Sequence, residues 1–445
     1  MKALLVSAAL MAALILSCPA ADLGETNPAP SAGLKFTLAQ AEAFALQNHP
    51  QIASAQLTAE AVHQQIREAR SAFFPQVYGE ATAVYAPYDD SSNSATRLAA
   101  TGGLNNPTIY SRQSDGVTVN QLLTDFGHTY DLTERAKFRA SAASARLNAA
   151  QALVILTVDR AYFGLLQAQA VLRVAQETVK TRQTAFDQVV VLVKNQLKST
   201  LDQSFDQVAL SQARLLLIQG ESGVREAEAG LSTALGFPEA QHFILTDEPL
   251  RLDLPGAAEA LIQSALNQRP ELIALRNDAE AARQFAAAQQ SAKYPTITAM
   301  AAAGVSPVAD DKLLNHDYYA AGVNVEIPLF TGGNLDARTK EAQLLQRAAS
   351  ANVIDAQNTI SRDVNVAWLE LTTAKERIDV TDELVASAAQ AQKLADARYR
   401  LGTSSIVEFN EAELNYTEAE LDDARARYEF QTDRALLDFV TGSRL

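Results

Sequence analysis

Cys18 is the only cysteine in 445 residues, so no disulfide can form within the chain. Histidine is also sparse. The five, at positions 49, 63, 128, 242 and 316, are scattered and form no His-Glu-x-x-His pair. With no grouped metal ligands and no nucleophile placed beside a base, the sequence offers no metal site, no cofactor site and no enzyme chemistry. Basic residues are outnumbered, 37 Lys and Arg against 52 Asp and Glu, for a net charge of −15. A nucleic-acid binder needs a dense basic stripe, so that class is set aside. There is a single tryptophan, and the apolar content leans on alanine, which suits long helices better than a thick globular core. Proline is absent from Thr108 to Phe237 and from Leu329 to Leu445. An internal proline costs a helix about 3 kcal/mol, so both windows are open to long, unbroken helices.

Met1-Lys2 and the apolar run Ala3 to Leu16 have the length of a secretory signal core and are too short to span a membrane as a helix. A signal peptide over residues 1–20 is expected, and with it export. Leu14-Ile15-Leu16-Ser17-Cys18 resembles a lipobox, which would make Cys18 a lipidated first residue; the alternative is an ordinary cut after Ala20 or Ala21. Residues 21–36, with Pro28, Pro30 and Gly33, are expected to form a flexible leader.

The rest of the chain is an internal duplication. Asn48-His49-Pro50 to Phe74-Pro75 matches Gln268-Arg269-Pro270 to Tyr294-Pro295 at an offset of 220, and Tyr162, Ser199, Asp202 and Gly236 match Trp368, Ser405, Glu408 and Gly442 at 206. The first repeat is placed at 37–236, a proline-bearing connector at 237–256 and the second repeat at 257–445. Apolar residues recur at helical spacing in both proline-free windows, and a helix from Tyr130 to about Lys194 would be roughly 100 Å long. Each rod is predicted to turn at a polar kink, Asn195 to Asp202 and Leu401 to Ser405, and return as a second helix. Gly402 suits the left-handed conformation that closes a helix; opposite it stands Gln196, so Asn195 is expected to take that part in the first half.

Four segments alternate with the period of a strand, at about 76–88, 116–124, 296–305 and 318–329. In the last, Tyr319, Ala321, Val323, Val325, Ile327 and Leu329 share one face. Val77, Gly79, Ala81, Ala83 and Tyr85 match Ile297, Ala299, Ala301, Ala303 and Val305 as an outward row. Each segment has about the 9 to 11 residues needed to cross a bilayer as a tilted strand. Tyr78, Tyr85, Tyr88, Tyr110, Tyr294, Tyr318 and Tyr319 near the strand ends suggest an aromatic girdle. Four strands cannot close a barrel, and unpaired edges in hydrocarbon cost several kcal/mol per group, so several copies must pool their strands.

From about Phe36 to Gly442 the sequence resembles the TolC-type outer-membrane efflux and secretion factors. The likeness is carried by the duplicated plan, by the strand-to-helix turn Pro328-Leu329-Phe330-Thr331-Gly332-Gly333, and by the tip sequence Tyr399 to Glu408. It implies a homotrimer with a 12-stranded β-barrel continuous with a long α-helical barrel, four strands and two helical hairpins coming from each protomer. It also implies a place in the outer membrane with a long periplasmic extension. The implied partners are outer-membrane lipid, a periplasmic adaptor and an inner-membrane pump of the RND, ABC or MFS type. Glu408 and Glu411 match the acidic pair that rings the periplasmic constriction and favours cations. Asp202 and Tyr399 match positions of a tip latch whose basic partner falls here on Ser404, leaving Lys198 or Arg400 to substitute. Gln196, Ser199, Gly402 and Ser405 fall in the tip motifs where an adaptor would dock. The rival reading, a periplasmic coiled-coil adaptor or scaffold, would share the rods and lack the strands.

Overall fold

The computed structural model describes residues 34–84, 112–246, 250–305 and 317–443. Cys18, the expected signal peptide, the leader as far as Gly33, Tyr85, Tyr88, Tyr110 and most of both strand-connecting loops lie outside the described residues.

Helices dominate, and the two halves repeat one another element for element. In the first, α1 (Leu38–Asn48), α2 (Pro50–Ser71), α3 (His128–Lys194) and α4 (Thr200–Leu235) have 11, 22, 67 and 36 residues. The second half repeats those lengths in α5 (Ala258–Gln268), α6 (Pro270–Ser291), α7 (Asn334–Arg400) and α8 (Ile406–Thr441). Pro50 and Pro270 each open a helix at its first turn, where a missing N–H costs nothing. Gly236 and Gly442 close α4 and α8 with φ of 87° and 72°. A Cβ there would press on the His49–Pro50 and Gln268–Arg269 junctions, so each hairpin's return helix abuts the start of α2 or α6.

Between α1 and α4 the chain runs through β2 (Gln76–Val84) and β3 (Arg112–Thr124), and between α5 and α8 through β5 (Thr296–Val305) and β6 (Asp317–Glu326). The sheet order is β2-β3-β5-β6, all antiparallel. Facing residues of an antiparallel ladder share a face, so the register Val77↔Val119, Val119↔Ala301 and Ala301↔Ala321 joins the alternating rows into one apolar surface. On the other face Glu80, Gly116, Gly304 and Tyr318 stand in line. This corrects the girdle: Tyr78 and Tyr318 lie on that second face, while Tyr319 lies on the apolar one.

Three boundaries differ from those expected. β3 begins at Arg112 rather than near 116. β6 ends at Glu326, although its alternation continues to Leu329, because Pro328 has no N–H to give a ladder. The leader is not free of structure to residue 36: β1 (Leu34–Phe36) pairs in parallel with β4 (Phe243–Leu245) inside the connector. Tyr162 on α3 fixes this small sheet by donating to the Thr246 carbonyl at 2.8 Å, and the connector is tied on by Gln431 to the Arg251 carbonyl at 2.9 Å and by Arg434 to Asp253.

The largest apolar clusters sit at this belt, Val158, Tyr162, Leu165, Leu231, Leu235 and Phe243 in one half and Val364, Leu371, Ile378, Phe430 and Leu437 in the other. Elsewhere alanines such as Ala136, Ala140 and Ala143 let helices approach closely. α3 packs against α2 and α4 on one side and α6 and α8 on the other; α7 packs against α6 and α8. The helical layer therefore ends in α2 and α4 at one edge and α7 at the other, as the sheet ends in β2 and β6.

Candidate functional site at the hairpin tips

At the first tip, α3 ends at Lys194 and the chain reverses through Gln196, which takes φ of 58°. Asn195, expected to fill that place, keeps φ at −88° as the C-cap and bonds back to Val191 instead. Ser199 caps α4. Its Oγ accepts from the Asp202 N–H at 3.1 Å and the Asp202 carboxylate accepts from the Ser199 N–H at 3.1 Å, a reciprocal box.

The second tip repeats the backbone, with Gly402 at φ of 72° and Ser405 capping α8 by accepting from the Glu408 N–H at 3.2 Å. Here the box stays open. Arg398 donates to Glu408 Oε1 at 2.7 Å and Ser404 Oγ donates to Oε2 at 2.6 Å, drawing the carboxylate away from its cap. Glu411 is exposed one turn further along the same face.

The hairpins meet around Tyr399. Its ring stacks on Phe409 at 5.2 Å and carries the Lys198 ammonium at 4.0 Å from its centroid. Burial, and then Asp206 and Asp202, push the Tyr399 hydroxyl up to about 12, and that hydroxyl has no hydrogen-bond partner among the described residues. Deeper in, Arg182 on α3, Asn410 on α8 and Asp206 on α4 form a buried polar chain across the two hairpins. Gln392 donates to buried Glu413 at 2.7 Å beside it. Lys198, Asp206, Gln392, Tyr399 and Glu413 face a cavity of about 520 Å³ between the hairpins.

The residues singled out by sequence thus converge on one end of the molecule, in a different wiring. Asp202 serves its own cap and makes no hydrogen bond to Tyr399. Arg400 is held by Asp396 on its own helix at 2.9 Å. Ser404 supplies a hydroxyl and Arg398, which sequence reading passed over, a charge to Glu408, both within the second hairpin; of the two expected substitutes it is Lys198 that reaches Tyr399 across the hairpins. Pro328, Gly332 and Gly333 form the strand-to-helix turn at the opposite end, with Gly332 and Gly333 at φ of 60° and 80° and Gly333 capping α7. Arg182, Asp206 and Asn410 were also missed. Charged residues on helix faces that otherwise pack were the available signal.

The profile of the family described as "Outer membrane efflux protein" matches residues 44–237 and 261–443. Outer membrane protein TolC of Vibrio cholerae is 24% identical over 406 residues, covering 87% of this chain and 86% of the relative. A crystal structure of a membrane protein from Pseudomonas aeruginosa superposes with a TM-score of 0.79 at 21% identity, over 91% of this chain and 90% of that one. That of the outer membrane protein VceC from Vibrio cholerae does so with a TM-score of 0.75 at 20% identity, over 91% and 96%. With both repeats matched by the family profile and the architecture shared along nearly the whole length, the chain belongs to the outer membrane efflux protein family.

Proposed function

We propose that three copies of this outer-membrane efflux protein close into a 12-stranded barrel and a helical tube, the passive exit duct of a tripartite pump. One observation carries this reading. The protomer has open edges of both kinds at once, β2 and β6 in the sheet and α2 with α4 against α7 in the helical layer. In hydrocarbon the free backbone groups of β2 and β6 have no water to turn to, so a sister copy must pair with them. The helical edges carry matching stripes, Leu201, Phe205, Val208 and Leu215 on α4 and Val380, Leu384 and Leu394 on α7, all exposed in the single chain. A periplasmic scaffold has no use for a four-stranded sheet with one apolar face, which speaks against the rival.

At the periplasmic end Glu408 and Glu411 from three copies would ring the neck and favour cations, where a narrow aperture focuses the field. Lys198 over Tyr399 links the two hairpins as the latch of the resting tip, while Arg398 and Ser404 fix Glu408 within the second hairpin. Exposed links of this kind are worth about 0–1 kcal/mol each, so an adaptor docking at Gln196, Ser199, Gly402 and Ser405 can exchange them. An inner-membrane pump of the RND, ABC or MFS type would feed the duct.

The test is reconstitution. Outer-membrane extracts should yield heat-modifiable trimers that conduct in planar bilayers with a preference for cations, and Glu408→Gln with Glu411→Gln should abolish that preference. Recovery of the protein as a monomer in osmotic-shock fluid would sink the proposal.

A further inference from the structure

Arg182 and Asp206 are 6% and 3% exposed, and both belong to the first hairpin. Arg182 feels the charge of Glu413 on α8 and then that of Asp206, and Asp206 feels Arg182 in turn, yet among the described residues Arg182 and Asp206 form no direct ion pair. A neutral side chain from the second hairpin lies between them. Arg182 Nη1 donates to Asn410 Oδ1 at 2.5 Å and Nη2 to the Asn410 carbonyl at 3.3 Å, while Asn410 Nδ2 donates to Asp206 Oδ1 at 3.2 Å. The other carboxylate oxygen, Asp206 Oδ2, is buried without a hydrogen-bond partner among the described residues. Asn410 stands in the turn of α8 between Glu408 and Glu411.

The placement of charge decides what separation of the hairpins costs. A buried ion pair shared between two moving parts leaves an uncompensated charge on each when broken, which is strongly destabilising. Here the two charges that Asn410 bridges stay on one part, and buried Glu413, whose charge Arg182 also feels, keeps a donor of its own hairpin in Gln392. Arg182 is then free to turn to the open Asp206 Oδ2, so the two charges neutralise each other inside the first hairpin, and the Asn410 amide is hydrated.

We infer that Arg182, Asn410 and Asp206 form a partner-exchange clasp, with Asn410 the positioning residue that holds the Glu408–Glu411 turn against the first hairpin until the tip opens. The inference rests on the reading above that the tip opens by parting of the hairpins. It assigns the buried chain a part in opening as well as in packing.

Charge relocation tests it, with the full-length trimer in planar bilayers. Asn410→Asp keeps the acceptor for Arg182, loses the donor to Asp206 and sets two carboxylates together; conductance of the resting channel should rise several-fold. Adding Asp206→Asn restores a donor to the carboxylate at 410, now as a charge pair shared between hairpins. That double variant should conduct at or below the wild-type level, and cells carrying it should export less, because opening would strand Arg182. If Asn410→Asp assembles poorly, Asn410→Leu removes both bonds without adding charge and should also leak. Wild-type conductance in heat-stable Asn410 variants, or a double variant as leaky as the single one, would overturn the clasp alone. A wild-type protein that forms no channel would overturn the exit-duct reading beneath it as well.

Discussion

At the first tip the third residue of the return helix, Asp202, folds back on its own cap, whereas at the second the equivalent Glu408 is pulled off by Arg398 and Ser404. The backbones are alike, from helix length to the left-handed residue to the serine cap. What differs lies just upstream. At the offset of 206 the counterparts of Arg398 and Ser404 are Leu192 and Lys198, so nothing at the first tip competes for Asp202, and the lysine is spent on Tyr399 across the gap. Duplication preserved a frame that local hydrogen bonds dictate, and the two copies were then free to put different charges on it. Under the exit-duct reading, one tip became self-contained and the other carries the acidic ring.

The largest expected break between the hairpins lies at Asp433, whose counterpart is Ala227. Burial, then Glu429 and Glu370, push the Asp433 carboxyl up from 3.8 to about 6. Between those two values the native chain holds a proton that the unfolded chain has already lost. The stabilisation tied to that proton is present below 3.8 and lost as pH rises through about 6. Asp433→Asn should raise thermal stability at neutral pH, and the gain should vanish in melts recorded at the acid end of that window.

A smaller effect is expected where Gln196 and Gly402 share one backbone conformation. A side chain with positive φ costs roughly 1–2 kcal/mol, so Gly402→Gln should destabilise its tip, and Gln196→Gly should stabilise the other by somewhat less because glycine also loses more chain entropy. Amide exchange at the two turns would report both. Smallest of all, Arg398→Leu should remove an exposed ion pair worth about 0–1 kcal/mol and let Glu408 close the box with Ser405. Protection of the Ser405 N–H would rise, and unchanged exchange there would show that Arg398 is not what holds the box open.

Much of this was readable in advance, and for local reasons. Proline-free windows, Pro50 and Pro270 at helix starts, the caps Ser199 and Ser405 and the glycines at 236, 402 and 442 act within a turn of their own position. The strand alternation was readable because its period is set by the pleat. The misreadings share a different cause. Nothing near Gln196 in the sequence announces a positive φ, and the alternation through Ile327 and Leu329 conceals that Pro328 cannot pair. Leu34–Phe36 finds its partner strand, Phe243–Leu245, a whole repeat away.

The sequence by itself determined the helices, their lengths, the duplicated order and the two-faced strands, because hydrogen bonds to near neighbours and solvent periodicity are written residue by residue. Only the tertiary structure decided which carboxylate is held by which cation, why Asn410 stands between Arg182 and Asp206, and that the sheet and the helical layer run out of partners at matching edges. Those outcomes depend on side chains from four helices and two repeats meeting at distances of a few ångströms, and no spacing along a single chain encodes such a meeting.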